Sequence, residues 1–277
     1  QHGYIITAAD VDAAYLQAPL KEKNIYIFAP PGFTGKASGK ILRLKKAVYG
    51  LKQSGNAWNR TLVSALERIG YHTSDGTDAC LFVKTSKTGR PIIYNVYVDD
   101  LLSMYHLADK AEANEDKKKL GEIFKMKDLG EAQQFLGMRL SRNPRDDSLL
   151  IDQTEYTKEL LAKYGFTQCR CEPTPGSSGT LTVRQTNPPP STSNRPMITP
   201  QNYQAVVGSL LWLALITRPD IAQAVNAASR FNSDPTPEAI EKVKRILRYL
   251  AGTTGLGILY KRSKSNQIIP SIYCDAD

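Results

Sequence analysis

In the stretch YNVYVDDLLSMY, from Tyr94 to Tyr105, apolar and aromatic residues alternate as in a half-buried strand until Asp99 and Asp100 interrupt them side by side. Adjacent side chains on a strand face opposite ways, but at a tight hairpin turn both can be brought near one site. Carboxylates in apolar surroundings destabilise a fold unless they are paired or bind a cation. Hard carboxylate oxygens suit Mg²⁺. Two such ions ~3.5–4 Å apart serve phosphoryl and nucleotidyl transfer, and holding them takes a third carboxylate. Asp10 is the candidate, because YIITAADV carries a strand-like run to an acid before an alanine-rich segment begins. Asp12 lies two residues further on, where the chain turns. Spacing alone leaves a solvated Asp-Asp turn open as the alternative.

These acids need elements to hold them. YIITAADV and NIYIFA read as strands, and PPGF (Pro30 to Phe33) as a turn. Ala57 to Ile69 reads as a helix with Trp58, Leu62, Leu66 and Ile69 on one face and Gly70 as its stop. ACLFVK and PIIYNVYV are strands separated by the polar turn TSKTGR, and Leu107 to Phe124 is a charged surface helix. After the strand LLIDQ, Asp152 with Glu155 three residues on predicts a capping box, and Gly165 an end. Thr174 to Pro200, which includes NPPPSTSNRP, reads as a linker. Helices follow: Tyr203 to Ile216, apolar enough to be buried, then Pro219 to Phe231, then one capped by Thr236 with Pro237 at its first position. The last residues return to strands, LGILYK and QIIPSIYCDAD.

Composition adds a partner class. The 277 residues are 41% hydrophobic and 23% charged, the profile of a globular chain with a sizeable core, and the net charge is +9. From Lys23 to Leu66 there is no Asp or Glu, while Lys23, Lys36, Lys40, Arg43, Lys45, Lys46, Lys52 and Arg60 fall inside that stretch. Such a run reads either as a surface that tracks phosphates or as a solvated basic face. Cys80, Cys169, Cys171 and Cys274 form no CxxC pair, which predicts free thiols, a reducing compartment and no zinc site. No apolar run reaches the length of a membrane span, so no membrane partner is predicted.

The blocks DVDAAYLQAPLKEKNIYIFAPPGF, LKKAVYGLKQSGNAW, YVDD, MKDLGEAQQFLGMRL, YQAVVGSLLWLALITRPDIAQAV and YCDAD occur in this order across essentially the whole chain. In that order they resemble the reverse transcriptase region of copia-type LTR-retrotransposon Pol polyproteins, running into the start of ribonuclease H. The resemblance implies an α+β fold. Residues 1–150 would be a polymerase palm with part of the fingers, an antiparallel sheet and a YVDD hairpin; 151–200 a thumb-like helix and linker; 201–255 a helical connection; and 256–277 a truncated start of ribonuclease H. It implies an RNA-directed DNA polymerase that joins dNTPs to a primer 3′-hydroxyl, with Asp10, Asp99 and Asp100 as catalytic ligands of two Mg²⁺ ions, or of Mn²⁺.

By the same resemblance Tyr15 lies under the incoming sugar and excludes a 2′-hydroxyl, Gln53 sits beside the nucleotide, and Lys52 reaches a phosphate or the template. Phe135, Leu136, Gly137 and Met138 match the primer grip, and Asp275 the first metal ligand of an incomplete ribonuclease H site. The implied partners are an RNA template, a DNA primer, their RNA–DNA hybrid, dNTPs and the rest of the Pol polyprotein, in cytoplasmic virus-like particles or the nucleus. The chain departs from the family at Asp12 and Ala18, and it begins about ten residues before Asp10, so the family's N-terminal fingers segment is absent from it. Both ends read as cut, and the last ~20 residues are expected to be poorly anchored or to form at most a hairpin. The competing function is a decayed remnant that folds and binds nucleic acid without catalysis.

Overall fold

The computed structural model describes residues 3–21, 24–32, 39–73, 78–176 and 198–261. They form two compact units, one ending at Phe135 and the other starting at Leu136.

The first unit is built on an antiparallel sheet. Its elements are β1 (Tyr4–Val11), α1 (Ala14–Gln17), β2 (Tyr26–Phe28), β3 (Ile41–Arg43), α2 (Ser54–Arg68), β4 (His72–Thr73), β5 (Leu81–Thr85), β6 (Pro91–Tyr97), β7 (Asp100–His106), α3 (Lys110–Ile123), β8 (Met126–Glu131) and β9 (Gln134–Phe135). Six strands run in the order β4-β5-β6-β7-β1-β8, and β2 pairs with β3 in a separate ribbon. β1, the first strand in sequence, lies between β7 and β8.

Alternation sets the two faces of this sheet. Ala9 and Val11 of β1 and Leu101 and Tyr105 of β7 are buried with Trp58, Leu62 and Leu66 of α2 and Ala113 and Leu120 of α3, so both helices cover one face. Ile6, Ala8 and Asp10 alternate with these residues on β1, and Asp100, Leu102 and Met104 do so on β7, which puts them on the other face. α2 starts three residues before the predicted Ala57. It ends as predicted, with Gly70 at φ 93° and the Tyr71 amide donating to the Leu66 carbonyl (3.0 Å).

The second unit contains β10 (Met138–Arg142), β11 (Leu149–Asp152), α4 (Thr154–Lys163), α5 (Tyr203–Ile216), α6 (Ala222–Ser229), α7 (Pro237–Gly252) and β12 (Gly257–Tyr260). Leu160, Val206, Val207, Leu210, Val225, Val243, Ile246 and Leu250 are buried in the helical core. The predicted cap of α7 is present: Thr236 Oγ1 accepts from the Ala239 amide at 3.2 Å.

Two expectations are corrected here. Asp152 and Glu155 make no capping box. Asp152 is fully buried at the end of β11, where it accepts from the Thr154 amide (2.9 Å) and Arg139 Nε (3.1 Å), while Glu155 pairs with Lys158 at the surface. α5 is not wholly buried, since Trp212 is 43% and Leu215 79% exposed. The two compact units divide at Phe135–Leu136, with β10 and β11 in the second.

Part of the predicted strand LGILYK is present as β12. Its residues Gly257–Tyr260 pair antiparallel with Leu149–Asp152. The approach is so close that a Cβ on Gly257 would run into the Ile151 carbonyl and the Asp152 side chain, so only glycine fits. The rest of the predicted C-terminal strand, with Asp275 and Cys274, and most of the linker lie outside the described residues.

Candidate active site

The three aspartates meet at one end of the sheet. β1 and β7 are in a register that sets Asp10 opposite Asp100, and β6 and β7 are in a register that pairs Tyr97 with Asp100. Between Tyr97 and Asp100 only Val98 and Asp99 remain, so the two strands are joined by a two-residue turn. The Asp99 carbonyl accepts from the Val11 amide at 2.9 Å, which ties the turn to the end of β1. Residues 89 positions apart thus become neighbours through backbone pairing. Asp10 and Asp100, being directly opposed, share a face.

The turn is strained and braced. Val98 has φ 55°, a conformation that a β-branched residue rarely takes and that belongs to glycine at the first corner of a type II′ turn. Trp58 of α2 donates from Nε1 to the Val98 carbonyl at 2.6 Å, and its ring meets Phe124 edge-on at 5.1 Å. A buried indole therefore holds the corner where the acids are presented. Trp58 was read from the sequence as a core residue only, and nothing in a helical stripe announces a hydrogen bond to a turn 40 residues away.

The charges interact. Burial first, then the charges of Asp99 and Asp10, push the Asp100 carboxyl above the usual carboxylate range. Asp12 stands apart, because its carboxylate pairs with Lys125 at 2.8 Å. Among the described residues no three acidic, histidine or cysteine side chains stand at ready-made metal-ligand spacing. The donor set still fits a divalent ion in kind, since hard oxygens from three adjacent positions already repel one another.

Tyr15 lies in the single turn of α1, five residues after Asp10, and packs on the core. Its ring meets that of Tyr49 with centroids 4.6 Å apart at 50°. Tyr49 escaped the sequence reading. Slight burial first, then the charges of Asp99, Tyr15 and Asp10, push its phenol above the usual range. The available signal was the motif AVYGLKQ itself, in which Gly50 (φ 94°) forms the third position of a Val48–Leu51 turn.

Lys52 is exposed and Gln53 half-buried at the start of α2, and neither side chain bonds to the aspartates. Leu136 and Gly137 both have positive φ, 50° and 77°, the backbone of a type I′ turn, with Phe135 and Met138 half-buried on either side. Lys45 and Lys46 are exposed, and Lys46 pairs with Pro19, which lines a groove of about 340 Å³ with Lys21, Arg60 and Arg68. Lys23 and Lys36 lie outside the described residues. No described helix is long and apolar enough to cross a membrane.

Comparison with known proteins places this geometry. Residues 1–178 match the family model described as reverse transcriptase (RNA-dependent DNA polymerase). The chain is 38% identical over 275 residues to the retrovirus-related Pol polyprotein from transposon RE1 of Arabidopsis thaliana, covering 98% of this chain and 18% of that protein. It is 35% identical over 271 residues to the Pol polyprotein from transposon TNT 1-94 of Nicotiana tabacum, covering 97% of this chain and 20% of that one. It is 33% identical over 270 residues to the putative transposon Ty5-1 protein of Saccharomyces cerevisiae, covering 96% of this chain and 82% of that one. The chain thus spans about a fifth of the length of the plant polyproteins it matches. It belongs to the reverse transcriptase family, RNA-directed DNA polymerases by family, as carried in the Pol polyproteins of copia-type transposons.

Proposed function

We propose that this chain extends a DNA primer by joining dNTPs to its 3′-hydroxyl on an RNA or DNA template, with Asp10, Asp99 and Asp100 as the catalytic carboxylates. The single observation that carries this reading is the register that sets Asp10 opposite Asp100 while the Asp99 carbonyl bonds to the Val11 amide. The family generally uses divalent metal ions, and here Asp10, Asp99 and Asp100 would hold them. Two bound Mg²⁺ ions supply an acidified primer hydroxyl and charge stabilisation of the pyrophosphate leaving group.

The chain's own residues do the positioning. The turn fixed by Trp58 presents the Asp99 carboxylate, and Tyr15 lies where its ring excludes a ribose 2′-hydroxyl. Lys52 and Gln53 contact the nucleotide or template, and the Phe135–Met138 turn steadies the primer end. Lys45 and Lys46 contact phosphates, which positions a duplex without reading its sequence. An RNA–DNA hybrid is recognised by its A-like shape. The rest of the Pol polyprotein is the natural partner.

The test is Mg²⁺-dependent incorporation of dTTP on poly(rA)/oligo(dT). Asp99→Asn lowers it by about a hundredfold or more, the scale on which loss of one electrostatic catalytic group is felt, with hybrid affinity retained. Hybrid binding without any incorporation by the parent chain would assign it instead to a remnant that only binds nucleic acid.

A further inference from the structure

We propose that Tyr49 is a positioning residue for sugar selection: its ring backs that of Tyr15 and holds it in the orientation that discriminates dNTP from rNTP. This rests on the polymerase reading above. Tyr15 belongs to a helix of four residues whose N-terminal flank, Ala13, has a left-handed backbone (φ 48°), so the local backbone constrains its ring weakly. The constraint comes from a second segment. The Leu20 amide donates to the Lys45 carbonyl (3.1 Å) and the Ala47 amide to the Ala18 carbonyl (2.9 Å), which locks the stretch after Tyr15 against the stretch before Tyr49.

Ala18 and Ala47 are both fully buried in this pairing, where a larger side chain would force the strands apart. The chain then turns at Val48–Leu51, with Tyr49 at the corner and the Ser54 hydroxyl donating to the Val48 carbonyl at 2.6 Å. The corner delivers the Tyr49 ring onto Tyr15, 4.6 Å between centroids. Tyr49 is 56% exposed, so its position does not follow from burial in the core.

The experiment compares kcat/KM for dTTP and UTP on poly(rA)/oligo(dT) with the 277-residue chain and four variants: Tyr49→Ala, Tyr49→Phe, Tyr15→Ala and Tyr15→Ala/Tyr49→Ala. Tyr49→Ala should lower the dTTP/UTP ratio about fivefold, the size of one lost aromatic pair. Tyr49→Phe, which retains the ring, should match the parent. The double variant should discriminate no worse than Tyr15→Ala, because Tyr49 acts through Tyr15. An unchanged ratio in Tyr49→Ala, or losses that multiply in the double variant, overturns the proposal while the polymerase reading stands. A parent that incorporates nothing overturns both.

Discussion

At the scale of single residues, the site sets function against stability. Asp100 faces Asp10 across the ladder, and like charges directly opposed weaken a sheet. Its carboxyl is raised by burial and by the two neighbouring acids, so the folded state holds its proton more tightly than the unfolded chain does. The ionised form therefore destabilises the fold. That penalty is absent below the unfolded carboxylate pKa and grows as pH rises through the raised value. Asp100→Asn should then be more stable than the parent at pH 7 by about 0.5 kcal/mol, and the gain should vanish near pH 3. Urea midpoints across that range check this, and a gain of equal size at every pH would show that charge is not its cause. The aspartates were legible because a strand-end acid and an acidic pair interrupt apolar patterns. Tyr49 was not, because an aromatic in a turn carries no periodicity, and its neighbour Tyr15 lies 34 residues earlier.

At the scale of elements, patterns with a period survived, and so did the Thr236 cap and the Gly70 stop, but one local capping rule did not. The stripe Trp58, Leu62 and Leu66 gave α2, and Thr236–Pro237 gave the start of α7. The apparent capping box at Asp152 failed because tertiary partners, Arg139 and Thr154, claim that carboxylate first. The motif TRPD likewise proves architectural. Arg218, 1% exposed, donates to Asp220 (2.9 and 2.8 Å) and to Thr253, while Tyr249 also donates to Asp220. A comparable buried charge joins β5 to α3 in the first unit, where Asp116, 1% exposed, accepts from Lys84 (2.7 Å) and the Tyr71 hydroxyl (3.0 Å). Removing its cation would strand that carboxylate. Lys84→Met should cost about 3 kcal/mol, and adding Asp116→Asn should restore more than half of it. Chemical denaturation of the single and double variants decides. A double variant no more stable than the single would mean that the Lys84 stem, and not its charge, carries the effect.

At the scale of the whole molecule, the excess positive charge predicts salt-dependent affinity for nucleic acid. Lys45 and Lys46 are both exposed, so replacing them with Gln should shrink the slope of log affinity against log salt by about 1 to 2 for a hybrid, read by fluorescence anisotropy. An unchanged slope would leave them on a solvated face, with Lys21, Arg60 and Arg68 as the next residues to replace. The sign of the charge was legible in composition, but the gathering of Lys21, Arg60 and Arg68 around one groove was not, because that depends on how α2 turns its outer face. Sheet order was equally hidden, since periodicity identifies strands without naming their neighbours. That order has a consequence in time. β1 is translated before both strands that flank it, which end at His106 and Glu131. At ~5–20 residues per second, YIITAADV waits on the order of 5–25 seconds before both partners exist. Through that interval an apolar strand is exposed along both edges, so the yield of folded protein depends on how fast the chain is translated and on what chaperone shields β1.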